Sequence, residues 1–171
     1  CGATSARATD HRSLRNPQQL GMKHLSVRNQ QRRFSVSSRE VRKAMEVLLS
    51  ELLQIKAFDL SVLFVNETRM TQLNQIHLQH EGPTDIITFD YCTRALLHGE
   101  LVICPAIASE HARKYRATLG RELMRYVIHG VLHLQGFDDK TTAARHKMKH
   151  EENRLLQRLA RRFPVDSIAH G

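Results

Sequence analysis

Two histidines lie four residues apart in the stretch HGVLHLQGFDD, which runs from His129 to Asp139. In a helix, residues with this spacing share one face, so both imidazoles can bind a single metal ion. Gly136 follows at a position where a helix typically ends in a left-handed conformation. An aspartate after such a turn can reach the same ion. The pattern therefore predicts a metal site made of His129, His133 and Asp139, with Asp138 shaping the turn or supporting a ligand.

The neighbouring residues favour metal binding over a purely structural role for the two histidines. Apolar residues recur between positions 123 and 134, which predicts a buried helix. Polar side chains in such a helix cost free energy unless they are paired or ligated. Three protein ligands leave one position of a tetrahedral zinc ion open to water, which is typical of catalytic rather than structural sites. We therefore expect one Zn²⁺ held by three protein ligands and a water molecule.

Zinc peptidases share this spacing of histidines and give an alternative hypothesis. In their H-E-x-x-H helix, the glutamate after the first histidine is the general base. Gly130 occupies that position here, and glycine cannot move a proton. A zinc metallopeptidase-like hydrolase is therefore the second choice on the residues alone.

The composition favours a basic protein that contacts nucleic acid. The chain has 171 residues, with 26 Lys and Arg against 17 Asp and Glu, and a net charge of +9. Such a charge balance is typical of proteins that contact a polyanion. The three cysteines form no CxxC pair, which favours a reducing compartment. No apolar run approaches the roughly 18 residues of a membrane span. The expectation is a cytoplasmic protein that does not contact a membrane.

The hydrophobic pattern predicts an α/β (α+β) fold in a single domain. The domain should span residues 22–163, between a disordered tail at 1–21 and a short tail at 164–171. Its small mixed β-sheet should be packed by helices, with the metal site on a helix and turn in the C-terminal third. Gly120 should separate two of the C-terminal helices. The predicted strands are 24–29, 58–65, 85–91 and 99–105, and the predicted helices are 35–55, 66–80, 105–118, 121–136 and 142–163.

Three motifs resemble the YbeY family of bacterial and organellar metal-dependent RNases. Residues 129–138 follow the family signature H-G-x-L-H-L-x-G-[FY]-D-H in order. The block PTDIITF at 83–89 resembles P-T-[DN]-V-L-S-F, and GELVIC at 99–104 resembles G-[DE]-[IL]-x-I-[CS]. The resemblance runs from about Lys23 to about Leu159.

The resemblance implies a single-strand-specific endoribonuclease that acts in 3′-end maturation of small-subunit rRNA and in ribosome quality control. Its partner would be RNA within ribosomal particles, and no small-molecule cofactor is expected. The resemblance also implies that zinc is the metal. No individual acid–base residue is assigned from the sequence.

The chain departs from the family pattern at two positions. Asp139 stands where the family usually has a third zinc histidine; aspartate also binds zinc, but its oxygen favours oxygen-preferring ions. Leu78 stands where the family commonly has an arginine implicated in RNA cleavage. His77 or His80 could substitute for that arginine. The second departure leaves open another alternative, a non-catalytic, metal-stabilised ribosome-assembly or RNA-binding factor.

Overall fold

A mixed five-stranded sheet forms the centre of the computed structural model, which describes residues 5–7, 21–78 and 82–170. Its strands are β1 (Ser5–Arg7), β2 (Lys23–Asn29), β4 (Phe58–Phe64), β5 (Ile86–Asp90) and β6 (Leu97–Ile103). They lie in the order β1-β5-β6-β4-β2, with β5 antiparallel to β6 and the other neighbours parallel. A second, two-stranded sheet pairs β3 (Ser35–Val36) with β7 (Ala169–His170) in antiparallel register.

Five α-helices pack with the sheet and confirm the predicted α/β single domain. They are α1 (Ser38–Glu46), α2 (Glu67–Leu78), α3 (Pro105–Lys114), α4 (Leu119–Leu134) and α5 (Thr142–Ala160). A π-helical segment (Val47–Leu52) extends α1, and a 3₁₀ turn (Val165–Ser167) precedes β7. Hydroxyl oxygens of Ser37, Thr118 and Thr141 accept backbone N–H groups at the starts of α1, α4 and α5. Within the described residues, no helix is long and apolar enough to cross a membrane.

Gly130 lets α4 lie directly against the sheet. A Cβ atom at this position would lie 2.5 Å from Cδ2 of Leu101 and 3.0 Å from Cδ1 of Ile86. The helix therefore presents this position to the strands β5 and β6. His129, the preceding residue, instead contacts α5, so the packing of Gly130 fixes which side of the helix faces the metal site.

The structure differs from two predictions about the C-terminal third. Gly120 lies inside α4 rather than between two helices. A Cβ atom there would lie 2.3 Å from the carbonyl oxygen of Val165, which explains why the residue is glycine. Glycine at this position serves a close backbone contact and not a helix break. Val165, Ile168 and Ala169 are at most 2% exposed. Residues 164–170 therefore pack with the domain and do not form a tail.

The N-terminal segment also differs in part from its prediction. Ser5–Arg7, within the stretch expected to be disordered, pairs in parallel with β5 and places Ser5 opposite Thr88. A strand of three residues pairs through backbone hydrogen bonds, so it needs no periodic apolar pattern. Residues 1–4 and 8–20 lie outside the described part of the chain.

Candidate metal centre

The structure brings His129, His133 and Asp139 together at the end of α4. The Nε2 atoms of the two histidines lie 3.0 Å apart. Two imidazole nitrogens bound to one tetrahedral zinc ion at their usual bond length would lie about 3.3 Å apart. One ligand atom from each of the three residues lies within 4.8 Å of the other two. The donor set therefore fits a divalent metal ion.

Hydrogen bonds on the far side of each ring fix both imidazoles in the form that binds metal. Nδ1 of His129 donates to Oε1 of Glu152 over 2.6 Å, and Nδ1 of His133 donates to the carbonyl oxygen of Phe137 over 3.0 Å. A carbonyl oxygen only accepts, so the proton of the neutral His133 ring lies on Nδ1. The Glu152 carboxylate likewise accepts a hydrogen bond, so the proton of the neutral His129 ring also lies on Nδ1. Each Nε2 atom thus keeps its lone pair, as in histidines that bind metal.

Burial favours the neutral form of His133. Its side chain is only 9% exposed. Desolvation is the main cause that lowers its pKa, and the neighbouring His129 lowers it further. A neutral imidazole is the form that donates a lone pair to a metal. The site therefore suits metal binding at neutral pH.

The turn after α4 positions the third candidate ligand. Gly136 has φ = +89°, a left-handed conformation that glycine adopts without strain. Its N–H donates to the carbonyl oxygen of His133, and the N–H of Phe137 donates to that of Leu132. Asp138 accepts the N–H of Lys140 over 2.6 Å, which agrees with its expected role in the turn. The chain thereby reverses and brings Asp139 back toward the histidines.

Glu152 is the functional residue that sequence reasoning missed. It lies on α5 and is 8% exposed, although glutamate is rarely buried without a partner. The sequence contains a signal that could have found it. Glu152 interrupts the apolar face of α5, whose buried members are Met148, Leu155, Leu156 and Leu159. A carboxylate on such a face indicates a specific partner inside the fold.

Two of the three candidate ligands, His129 and Asp139, border a cleft formed by α3, α4 and α5, while His133 lies buried behind them. The cleft has a volume of about 430 Å³. His129, Asp139 and Glu152 line it, together with Asp85, His111, Tyr115, Tyr126, Arg145 and Lys149. Asp85 also accepts the N–H of Ile86 over 2.9 Å at the start of β5. A larger groove of about 560 Å³ beside α1 and β2 includes none of the three candidate ligands.

Comparison with known proteins identifies the family. The family model described as endoribonuclease YbeY matches residues 26–160. The chain belongs to the YbeY family.

Similar proteins in the YbeY family come from several bacteria. An endoribonuclease YbeY of Chlorobium luteolum is 36% identical over 105 residues, which cover 61% of this chain and 77% of the relative. One from Chloroherpeton thalassium is 33% identical over 120 residues, covering 70% of this chain and 84% of the relative. The solution structure of TM1509 from Thermotoga maritima matches with a TM-score of 0.60 and 27% identity, covering 79% of this chain and 88% of that one.

Leu78, which stands where the family commonly has an arginine, is the last residue of α2. His77, one suggested substitute, packs edge-on against Phe89 with ring centroids 5.0 Å apart. It is not among the described residues that line the metal cleft. The other suggested substitute, His80, lies outside the described residues. Within the described cleft, Arg145 and Lys149 supply positive charge instead.

Proposed function

We propose that this chain is a zinc-dependent endoribonuclease that cleaves single-stranded RNA at the site formed by His129, His133 and Asp139. As a member of the endoribonuclease YbeY family, it is a nuclease and hence a hydrolase. The proposal includes 3′-end maturation of small-subunit rRNA and ribosome quality control in the cytoplasm, with rRNA in ribosomal particles as the substrate. The observation that supports it most is the pair of Nε2 atoms 3.0 Å apart, with both Nδ1 atoms hydrogen-bonded elsewhere.

Each residue of the site has a distinct task in this proposal. His129, His133 and Asp139 hold the ion, while Glu152 and the Phe137 carbonyl keep the two imidazoles in place. When bound, zinc supplies a Lewis acid for a phosphate oxygen and lowers the pKa of a water molecule.

Two cations in the cleft are suited to bind the RNA backbone. Arg145 and Lys149 line the cleft from α5, and neither forms a salt bridge with another described residue. Their charges are therefore available for phosphate groups. The net charge of +9 supports the same type of substrate.

The packing of Gly130 argues against the peptidase alternative. A side chain at this position would meet Leu101 and Ile86 of the sheet. The side chain of a glutamate there would start toward these core residues and not toward the cleft. The position that carries the general base in H-E-x-x-H enzymes is thus directed toward the core.

Cleavage and metal content measured on one preparation test the proposed function. The purified protein is incubated with single-stranded fragments from the 3′ region of small-subunit rRNA, with and without a chelator. His133→Ala should lose both bound metal and cleavage. His150→Ala, at an exposed histidine of α5, should retain both and serves as the matched control.

The alternatives predict other outcomes of the same experiment. Stoichiometric metal without cleavage above the His133→Ala background would contradict the nuclease and favour a metal-stabilised ribosome-assembly factor. Metal-dependent hydrolysis of peptides, with RNA left intact, would instead support the peptidase.

A further inference from the structure

Tyr115 is an exposed aromatic side chain at the edge of the metal cleft. It caps α3 at its C-terminal end and is 66% exposed, yet it lines the same cleft as His129 and Asp139. We propose that Tyr115 is a stacking platform for an unpaired RNA base and thereby favours single-stranded substrates. This inference rests on the proposed function, because it specifies how the same cleft selects its RNA.

An aromatic row connects this platform with the metal site. The row consists of Tyr115, His111 and Tyr126. The His111 ring lies 6.4 Å from that of Tyr115 and 6.2 Å from that of Tyr126, nearly perpendicular to both. Tyr126 is 6% exposed and lies on α4 three residues before His129. The row therefore leads from the solvent-exposed edge of the cleft to the helix turn that carries a candidate metal ligand.

A hydrogen bond inside the aromatic row holds it in position. The Tyr126 hydroxyl and Nδ1 of His111 form a hydrogen bond of 2.6 Å. Burial raises the pKa of Tyr126, so its hydroxyl remains a donor at neutral pH. His111 is thus fixed between the two tyrosines. The His111 ring packs edge-on against Tyr115, and most of the Tyr115 surface remains exposed to solvent.

Cations near the aromatic row complete the chemistry expected for single-stranded RNA. Nζ of Lys114 lies over the face of the Tyr115 ring, 5.6 Å from its centroid, and a stacking base would displace this flexible side chain toward a neighbouring phosphate. Arg145 and Lys149 line the cleft from α5. Proteins that bind single strands combine aromatic platforms for bases with basic grooves for phosphates. A base held on Tyr115 would leave its neighbouring phosphates beside these cations, within the cleft that contains the metal residues.

The platform distinguishes single strands from duplexes by a simple geometric criterion. A base inside a duplex is already stacked on its neighbours and offers no free face to a protein side chain. An unpaired base offers one. Stacking on an aromatic side chain is also tolerant of sequence, because every base has a π-face. The aromatic row should therefore contribute to strand selectivity more than to sequence selectivity.

Binding of a fluorescently labelled single-stranded oligoribonucleotide tests this inference. Fluorescence anisotropy gives the Kd, and a denaturing gel confirms that the RNA is intact. Tyr115→Ala should weaken binding by roughly 5- to 150-fold, the range found when one stacking aromatic is removed. Tyr115→Phe keeps the ring and should bind within about twofold of wild type. Tyr91→Ala removes another exposed tyrosine, outside the described cleft lining, and should change nothing.

Oligonucleotides with one abasic position identify the stacked base. The penalty of Tyr115→Ala should disappear when the base that contacts Tyr115 is missing, as in a double-mutant cycle. Duplex RNA of the same sequence should show no dependence on Tyr115. Equal affinity of Tyr115→Ala and wild type, or the same penalty on duplex and on every abasic oligonucleotide, would overturn the inference.

The failure of the inference can be distinguished from that of the proposed function. Tyr115-dependent binding without cleavage would retain the platform and contradict the nuclease. Metal-dependent cleavage with the same Kd for Tyr115→Ala and wild type would retain the nuclease and contradict the platform.

Discussion

Glu152 on α5 accepts a hydrogen bond of 2.6 Å from Nδ1 of His129 on α4, although the two residues are 23 positions apart in the chain. The carboxylate is almost fully buried. The candidate metal centre is therefore not confined to one helix and its turn. Its geometry depends on how α5 packs against α4.

Removal of the negative charge at Glu152 should weaken metal binding. Glu152→Gln keeps the size of the side chain but accepts the Nδ1 hydrogen bond more weakly. The expected loss is about 10- to 100-fold in metal affinity, the usual effect of changing a residue that supports a metal-binding histidine. Competition with a chelating dye measures it. Glu151→Gln is the matched control because Glu151 pairs with Arg154; if both variants bind metal like wild type, Glu152 does not support the site.

Asp139 should determine which metal the site prefers. Asp139→His supplies an imidazole and should keep zinc while lowering relative affinity for oxygen-preferring ions such as Mn²⁺. Asp139→Asn removes the charge and should weaken all divalent ions. Affinities for a series of ions, measured by calorimetry, give the comparison. Asp138→Asn should leave the preference unchanged because Asp138 accepts a turn N–H; an unaltered preference in Asp139→His would exclude Asp139 as a ligand.

Gly120 should be less tolerant of alanine than Gly130. At position 120 the added Cβ would meet a backbone carbonyl oxygen 2.3 Å away, so the chain near Val165 must move. At position 130 it would meet the ends of the Leu101 and Ile86 side chains, which can rotate. We expect Gly120→Ala to lose about 1–3 kcal/mol of stability. Gly130→Ala should lose less, since alanine recovers up to about 1 kcal/mol of helix propensity.

Urea unfolding of the two glycine variants, followed by circular dichroism, measures this order. Wild type in the same buffer is the reference. If Gly130→Ala is less stable than Gly120→Ala, the prediction is wrong, and the backbone near Val165 shifts at lower cost than the Leu101 and Ile86 side chains.

The Cys92 thiol should be unreactive in the folded protein. Burial raises its pKa to about 12, with a further contribution from Asp90. At pH 8 its thiolate fraction is about 10⁻⁴, against roughly a tenth for a cysteine at the ordinary pKa of 9.0. Iodoacetamide should therefore label Cys92 much more slowly in the native than in the urea-unfolded protein, as measured by peptide mass spectrometry. Equal native and unfolded rates would contradict the burial of this thiol.

The same pKa shift has a defined effect on stability. The folded state keeps the Cys92 proton to a higher pH than the unfolded state does. Its contribution to stability is therefore present below the unfolded pKa near 9 and is lost as pH rises toward 12. Unfolding midpoints recorded across this range should decline in wild type and decline less in Cys92→Ala.

The long helices and strands could be predicted from the sequence because each carries a periodic apolar pattern. The alternation in Phe58–Phe64 and the apolar stripe of α4 are clear examples. The short strands β1, β3 and β7 could not be found in this way, since two or three residues show no period. The order of strands, with β5 antiparallel to β6, depends on long-range contacts that no local pattern reports.

The grouping of His129, His133 and Asp139 was predictable because all three belong to one short segment. The helix repeat and the glycine turn determine their relative positions. Glu152 and Tyr115 come from other helices, so their approach to the site depends on tertiary packing. Sequence spacing alone could therefore not identify the groups that support the histidines or line the cleft.

If the site holds an ion, the hydrogen bond between α4 and α5 would also link ion supply to the lifetime of the folded protein. An ion that binds only the native state stabilises it by mass action, by about 2.7 kcal/mol at a free concentration one hundred times the Kd. Each such gain lowers the unfolded fraction on which cellular proteases act. Because Glu152 joins α5 to a candidate ligand on α4, an ion held at the site would also stabilise the contact between these helices. A shortage of metal would then reduce the amount of this protein in the cell as well as its activity.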